Sequence, residues 1–214
     1  MLKRFGCLIV MGAAVVAAGC LQKETTHTLY ISPDDQVAWV AIEGDVQSDE
    51  ADPGRRFAEE LDYLTAAIEG RHRIAKGLTA LAPGSVVRTH VLRDERPFRV
   101  QIDARLGGID HVLQQLFKES GLQASVLLTR DGVRTTLGVQ FDFGVPIVEV
   151  DHPVTALMDD FASFKLVLTE GTFAQADGWD VSGGAASLSK EWLQRSEEAS
   201  QEGGRIELWL SWDR

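Results

Sequence analysis

Cysteine is scarce in this chain. Only Cys7 and Cys20 occur in 214 residues, so if the first nineteen residues are removed a single thiol remains and no internal disulfide can form. Histidine is thinly spread: His27, His72, His90, His111 and His152 stand singly, with no two at helical or turn spacing. Local clusters of the kind that hold zinc are therefore missing, and His72 and His111, between polar neighbours on helical sequence, read as surface residues. Positive charge is in deficit too, with 21 Lys and Arg against 32 Asp and Glu, a net charge of −11. Without Lys3 and Arg4 the basic count falls to 19 and the net charge to −13. Such a surface repels nucleic acid and anionic headgroups at long range, and no nucleic-acid partner is expected. Beyond the first twenty residues no apolar run approaches the roughly 20 residues of a membrane span. There is no low-complexity tract and no repeat of fixed period.

Catalytic motifs are equally sparse. Ser187-Leu188-Ser189-Lys190 matches Ser-x-x-Lys, but Ser-Asp-Asn and Lys-Thr-Gly are both absent. Ser187 reads instead as a helix N-cap, with Glu191 in the first turns. There is no Gly-x-Ser-x-Gly elbow and no phosphate loop, and Gly107-Gly108 reads as a tight strand-to-helix turn with Asp110 following. Asp34-Asp35 and Asp159-Asp160 are sequence neighbours whose side chains point apart, whereas glycosidase chemistry needs opposed carboxyls. The run Asp45, Ser48, Asp49, Glu50, Asp52 lacks the spacing and the glycine of a calcium loop and reads as a solvated acidic loop. The expectation is a non-enzymatic chain with no metal.

The amino terminus is the most informative segment. Lys3 and Arg4 give a positive start, Phe5 to Val16 is apolar except for Gly6 and Gly12, and small Ala17, Ala18 and Gly19 lead into Cys20. This is the three-part layout of a secretory signal. Ala-Ala-Gly-Cys resembles the lipobox of bacterial lipoproteins, with Ala17 where the common pattern has Leu. The resemblance implies that residues 1–19 are removed, that a diacylglyceryl group joins the Cys20 sulfur, and that the new amino terminus is N-acylated. Leu21 stands where Asp would retain such a protein at the inner membrane. That implies lipid anchorage in the cell envelope, at the periplasmic face of the outer membrane. Residues 20–26 read as the lipidated Cys and a short tether reaching at most about 20 Å. Residues 27–214 read as a single α+β domain. Its opening, Thr26-His27-Thr28-Leu29-Tyr30, a Pro33-Asp34 turn and a strand bearing Trp39, is similar to bacterial lipoproteins of no known activity, and so implies none.

Periodicity supplies the elements. His27 to Ser32 and Val37 to Glu43 form a hairpin about Pro33-Asp34-Asp35. Gly54 to Ala82 is mostly helical, broken near Gly70, with Phe57, Leu61, Leu64 and Ile68 in one apolar stripe. Strands follow at Val86 to Leu92 and Phe98 to Ala104, then a helix on Ile109, Val112, Leu113, Leu116 and Phe117. A second hairpin spans Ala124 to Phe143 about Asp131-Gly132. A short helix near Val154 to Phe161, a strand at Phe164 to Thr169, a helix at Leu188 to Ala199 and a strand at Arg205 to Trp212 complete the chain. The expected architecture is an antiparallel sheet of seven or eight strands with amphipathic helices packed on one face.

Two features point towards a partner. Arg88, Arg93, Arg96, Arg99 and Arg105 concentrate on one hairpin, among Asp94, Glu95 and Asp103 as candidate pairs. Trp209 falls out of phase with Ile206, Leu208, Leu210 and Trp212, and aromatic residues on a wet face are enriched at interfaces. Trp39 lies on a strand apolar on both faces. The leading expectation is a protein-binding module held close to the membrane, with an envelope protein as partner. An apolar-ligand or lipid-binding domain is the alternative.

Overall fold

Alternating strands and turn-forming residues build the opening of the domain. In the computed structural model, which describes residues 21–144, 152–158 and 161–213, β1 (Leu21–Ile31) and β2 (Gln36–Ser48) form the first hairpin. Its turn places Asp35 at φ 63, a left-handed conformation that aspartate tolerates better than most residues. Two helices follow, α1 (Pro53–Ile68) and α2 (Arg73–Leu81), with Gly70 at φ 69 between them. Next come β3 (Val87–Arg93), β4 (Phe98–Gly108), α3 (Ile109–Glu119), β5 (Ala124–Asp131) and β6 (Arg134–Asp142). Short 3-10 turns at Pro153–Leu157 and Phe161–Ser163 lead to β7 (Phe164–Leu168), β8 (Thr172–Asp177), β9 (Trp179–Ser182), β10 (Ala185–Leu188), α4 (Lys190–Glu202) and β11 (Arg205–Asp213).

These strands make two sheets, where the sequence reading expected one. The larger has the order β3-β4-β2-β1-β7-β10-β9, antiparallel except where β7 runs parallel to β1. The smaller is β5-β6-β11-β8, all antiparallel. The extra strands are β8, β9 and β10, only six, four and four residues long and set between Gly171, Gly178 and Gly183, all at positive φ. Segments so short show too little alternation to be read in advance. At Gly178 a Cβ would come within 2.8 Å of Trp192 and 2.9 Å of Leu208, so glycine serves both the turn and the packing there.

One core joins the sheets. Leu113 and Phe117 of α3 meet Phe141, Phe164, Leu166 and Leu208 from both sheets, leaving an enclosed apolar void of only about 10 Å³. The period-two face of β6 is buried from Thr135 to Phe141, as its alternation predicts. Helix α2 sits against the Pro153–Leu157 turn through Gly77, where a Cβ would lie 2.9 Å from Leu157.

Several expectations need correction. Residues 21–26, read as a tether, belong to β1 and pair with the end of β2, Leu21 opposite Ser48 and Thr26 opposite Ile42. Helix α1 buries Glu60, Tyr63 and Ala67, while Phe57, Leu61 and Ile68 are 66%, 49% and 67% exposed. His72 is buried, not on the surface. The cap of α4 is Ser189, whose hydroxyl accepts the Trp192 amide at 3.1 Å, while Ser187 lies in β10. Residues 1–19, Cys20 and Asp159-Asp160 lie outside the described residues.

Candidate functional site

The β2 alternation that buries Val37, Trp39 and Ala41 also buries Glu43, which is 1% exposed. A lone carboxylate there would be prohibitively desolvated, so the fold supplies donors. Tyr63 of α1 donates its hydroxyl to Glu43 Oε2 at 2.5 Å, His72 donates from Nε2 to the same oxygen at 2.9 Å, and Lys23 of β1 donates to Oε1. His72 is the N-cap of α2: its Nδ1 lies 3.3 Å from the Ile74 amide, which turns Nε2 towards Glu43. Burial works to raise the Glu43 carboxyl, but the hydrogen bond and field of His72, with the Lys23 ammonium, outweigh it and hold the group at about 2. Burial, with the Glu43 charge beside it, pushes Tyr63 far above its ordinary range, so the phenol stays a donor. A neighbouring tie completes this end of the molecule. Glu60 accepts the Ser48 amide at 3.0 Å and Arg96 Nε at 2.9 Å, and Arg96 also donates to the Ser48 carbonyl at 2.9 Å. This centre joins β1, β2, α1 and α2, and its carboxylate oxygens are occupied by donors from the fold itself.

The arginine hairpin is paired partly outside itself. Arg96 reaches Glu60 on α1, and Arg93 reaches Asp45 on β2 at 3.4 Å. Asp103, expected to pair with the arginines, lies 3.2 Å from His90 Nε2, with Arg88 opposite it only in strand register.

The exposed face of the smaller sheet is organised in rungs across β5, β6 and β11. Ser125, Gln140 and Glu207 form one rung, and Gln140 donates to Glu207 at 2.5 Å. Leu127, Gly138 and Trp209 form the next. Thr129, Thr136 and Ser211 follow, Ser211 being buried, and then Asp131, Arg134 and Asp213, where Arg134 donates to Asp213 at 2.8 and 3.1 Å. Beyond the first rung Arg205 donates to Asp142 at 2.7 Å. Leu127 is 65% exposed and Trp209 half-buried, and Gly138 between them has no side chain. The result is an open groove of about 240 Å³ with an apolar floor and one polar end, made by Ser125, Gln140 and Glu207. A Cβ at Gly138 would meet only the Leu127 carbonyl, at 4.0 Å, so the gap is free space above the sheet.

No protein-family model matches the chain, and no curated protein matches it in sequence. Among solved structures, the folded domain of the Mycobacterium tuberculosis LppM protein is similar over 94% of this chain and 95% of its own, at 10% identity and a TM-score of 0.37.

Of the residues singled out in the sequence, Trp209 falls on the groove, whereas Trp39 is sealed by the fold, donating to His27 Nδ1 at 3.1 Å. Leu127 and Gly138 were not foreseen, because a cross-strand rung becomes visible only once register is known. Glu43 was also missed, although its phase with Val37, Trp39 and Ala41 carried the signal. The residues of the acidic loop are used by the fold: Asp52 caps α1 through the Arg55 amide at 2.9 Å, and Ser48 donates to Glu59 at 2.5 Å. No group of three or more His, Cys, Asp or Glu able to hold a metal occurs among the described residues.

Proposed function

We propose that the chain is a lipid-anchored, non-enzymatic module of the cell envelope that binds a protein partner through the outer face of its smaller sheet. The Leu127-Gly138-Trp209 rung carries this reading. An apolar centre with a vacant position, bordered on one side by the hydrogen-bonded Gln140-Glu207 rung and, two rungs away on the other, by the Arg134–Asp213 pair, has the anatomy of a protein interface: an apolar middle with polar groups around it. A side chain of the partner enters over Gly138 between the leucine and the indole. The alternative, a domain that encloses an apolar ligand, is supported less well, since the enclosed apolar void near Phe117 and Phe164 is about 10 Å³, about the room of one water molecule.

Two substitutions in the full chain in its native envelope test the interface. Trp209→Ser removes the anchor, and Gly138→Ala puts a methyl group into the gap, where a Cβ meets only the Leu127 carbonyl at 4.0 Å. Each is expected to leave the denaturation midpoint near wild type and to abolish crosslinking to the partner. A buried tryptophan at an interface is worth about 2 kcal/mol or more, some thirty-fold in affinity. If both variants retain every crosslinked neighbour of the wild type, the face is not the interface.

A further inference from the structure

We infer that the exposed apolar stripe of α1 lies in the surface of the bilayer beside the lipid anchor. The inference rests on the anchor at Cys20 and adds a second, non-covalent contact to it. Phe57, Leu61, Leu64 and Ile68 are spaced four, three and four residues apart, on one side of a 16-residue helix. Such a stripe ordinarily faces the core. Here the core takes the adjoining side, about a quarter-turn away, because Glu60 and Tyr63 are buried there on Ser48 and Glu43, with the exposed Arg96 also on Glu60. Three large apolar side chains on one helix are thereby left in the open, and a stripe of that kind marks a contact surface.

The placement of the chain identifies what covers it. Residue 20 adjoins Leu21, the first residue of β1, and Leu21 lies opposite Ser48. Paired strands sit about 4.8 Å apart, and Ser48 is hydrogen-bonded to both Glu59 and Glu60 of α1. Lipid on Cys20 therefore brings the leaflet to α1 with no slack between, since residues 21–26 are strand. Charge does not drive the contact: Arg93 and Arg96 are paired with Asp45 and Glu60, and the side of α1 away from the stripe carries Glu59 and Asp62. The contact rests on apolar burial held in place by the anchor, the acidic side staying in water, and a helix so placed sinks about 5–10 Å into the headgroup and acyl boundary.

The test uses the full chain, purified with its lipid and reconstituted into vesicles of phosphatidylethanolamine and phosphatidylglycerol. Phe57→Cys, Leu61→Cys and Asp62→Cys each provide one site for an environment-sensitive fluorophore, and wild type is labelled in parallel. The expected result has three parts: wild type takes no label, probes at 57 and 61 are quenched by lipids carrying a nitroxide high on the acyl chain, and the probe at 62 is quenched several-fold less. If wild type takes label or stays in solution, the anchor itself is refuted, and with it the inference. If wild type is anchored and unlabelled while the probes at 57 and 61 remain in water, the anchor stands and bilayer contact is overturned. Probes at 57 and 61 that quench one another between molecules, and are untouched by nitroxide lipids, overturn it in favour of a second copy of this chain.

Discussion

Glu43 shows how much one side chain decides. In the unfolded chain its carboxyl titrates at 4.5, whereas in the fold it is held at about 2. Protons therefore bind the unfolded state more readily in that interval. The group contributes its full stabilisation above about pH 5 and loses it as pH falls towards 2, to a total of about 3 kcal/mol. Urea denaturation of wild type should show its midpoint falling across that range. In Glu43→Gln the midpoint should start lower near neutrality, and the gap to wild type should close as pH falls to 2. Curves that run parallel throughout would mean that the carboxylate does not titrate with folding. The strand pattern contained this residue, since Glu43 is in phase with three buried apolar positions, and His27 is likewise in phase with Leu29 and Ile31. What the pattern lacked was the donors. Lys23, Tyr63 and His72 come from three other elements, and no spacing along the chain announces that they converge.

At the scale of elements, α1 and α3 make an instructive pair, because both carry a clear apolar stripe. In α3 the stripe is the buried face, with Leu116 fully enclosed. Leu116→Ala should destabilise the protein by roughly 2–5 kcal/mol, read as a lowered denaturation midpoint. In α1 the stripe is outside, so Phe57→Ser should shift the same midpoint by under about 0.5 kcal/mol, as at an ordinary surface position. A large loss at Phe57 would show the stripe packed against the domain. Periodicity located both helices and both stripes in the sequence. It did not say which stripe turns inward, because that depends on the buried partners available to the neighbouring polar face. The long strands were legible from alternation, and the short β8, β9 and β10 were not.

For the whole molecule, the proposed envelope address rests on residues 1–20 alone and the architecture on the rest. Cys20→Ser should yield an unprocessed or soluble precursor, because serine cannot form the thioether. A variant that still takes up a palmitate analogue and sediments with membranes would refute lipidation at this position. The grouping of strands into two sheets was beyond the sequence reading. It lies in strand pairings between distant segments, β7 beside β1 and β11 beside both β6 and β8, and a single ion pair, Arg130 of β5 on Asp35 of the first turn, spans 95 residues.

The position of β1 also has a mechanical consequence. It is the middle strand of seven, and residue 20 is fastened directly to its end. With the proposed anchor at Cys20, any tug from the membrane would enter the domain along that strand. Hydrogen bonds between strands lie across such a load, so those that β1 makes with β2 and with β7 must fail together in shear, not open one after another like a zip. Only Leu21 to Thr26, held by β2 alone, is gripped from one side. Those residues would yield first under tension, paying out a few residues of line while the body of the domain stays folded.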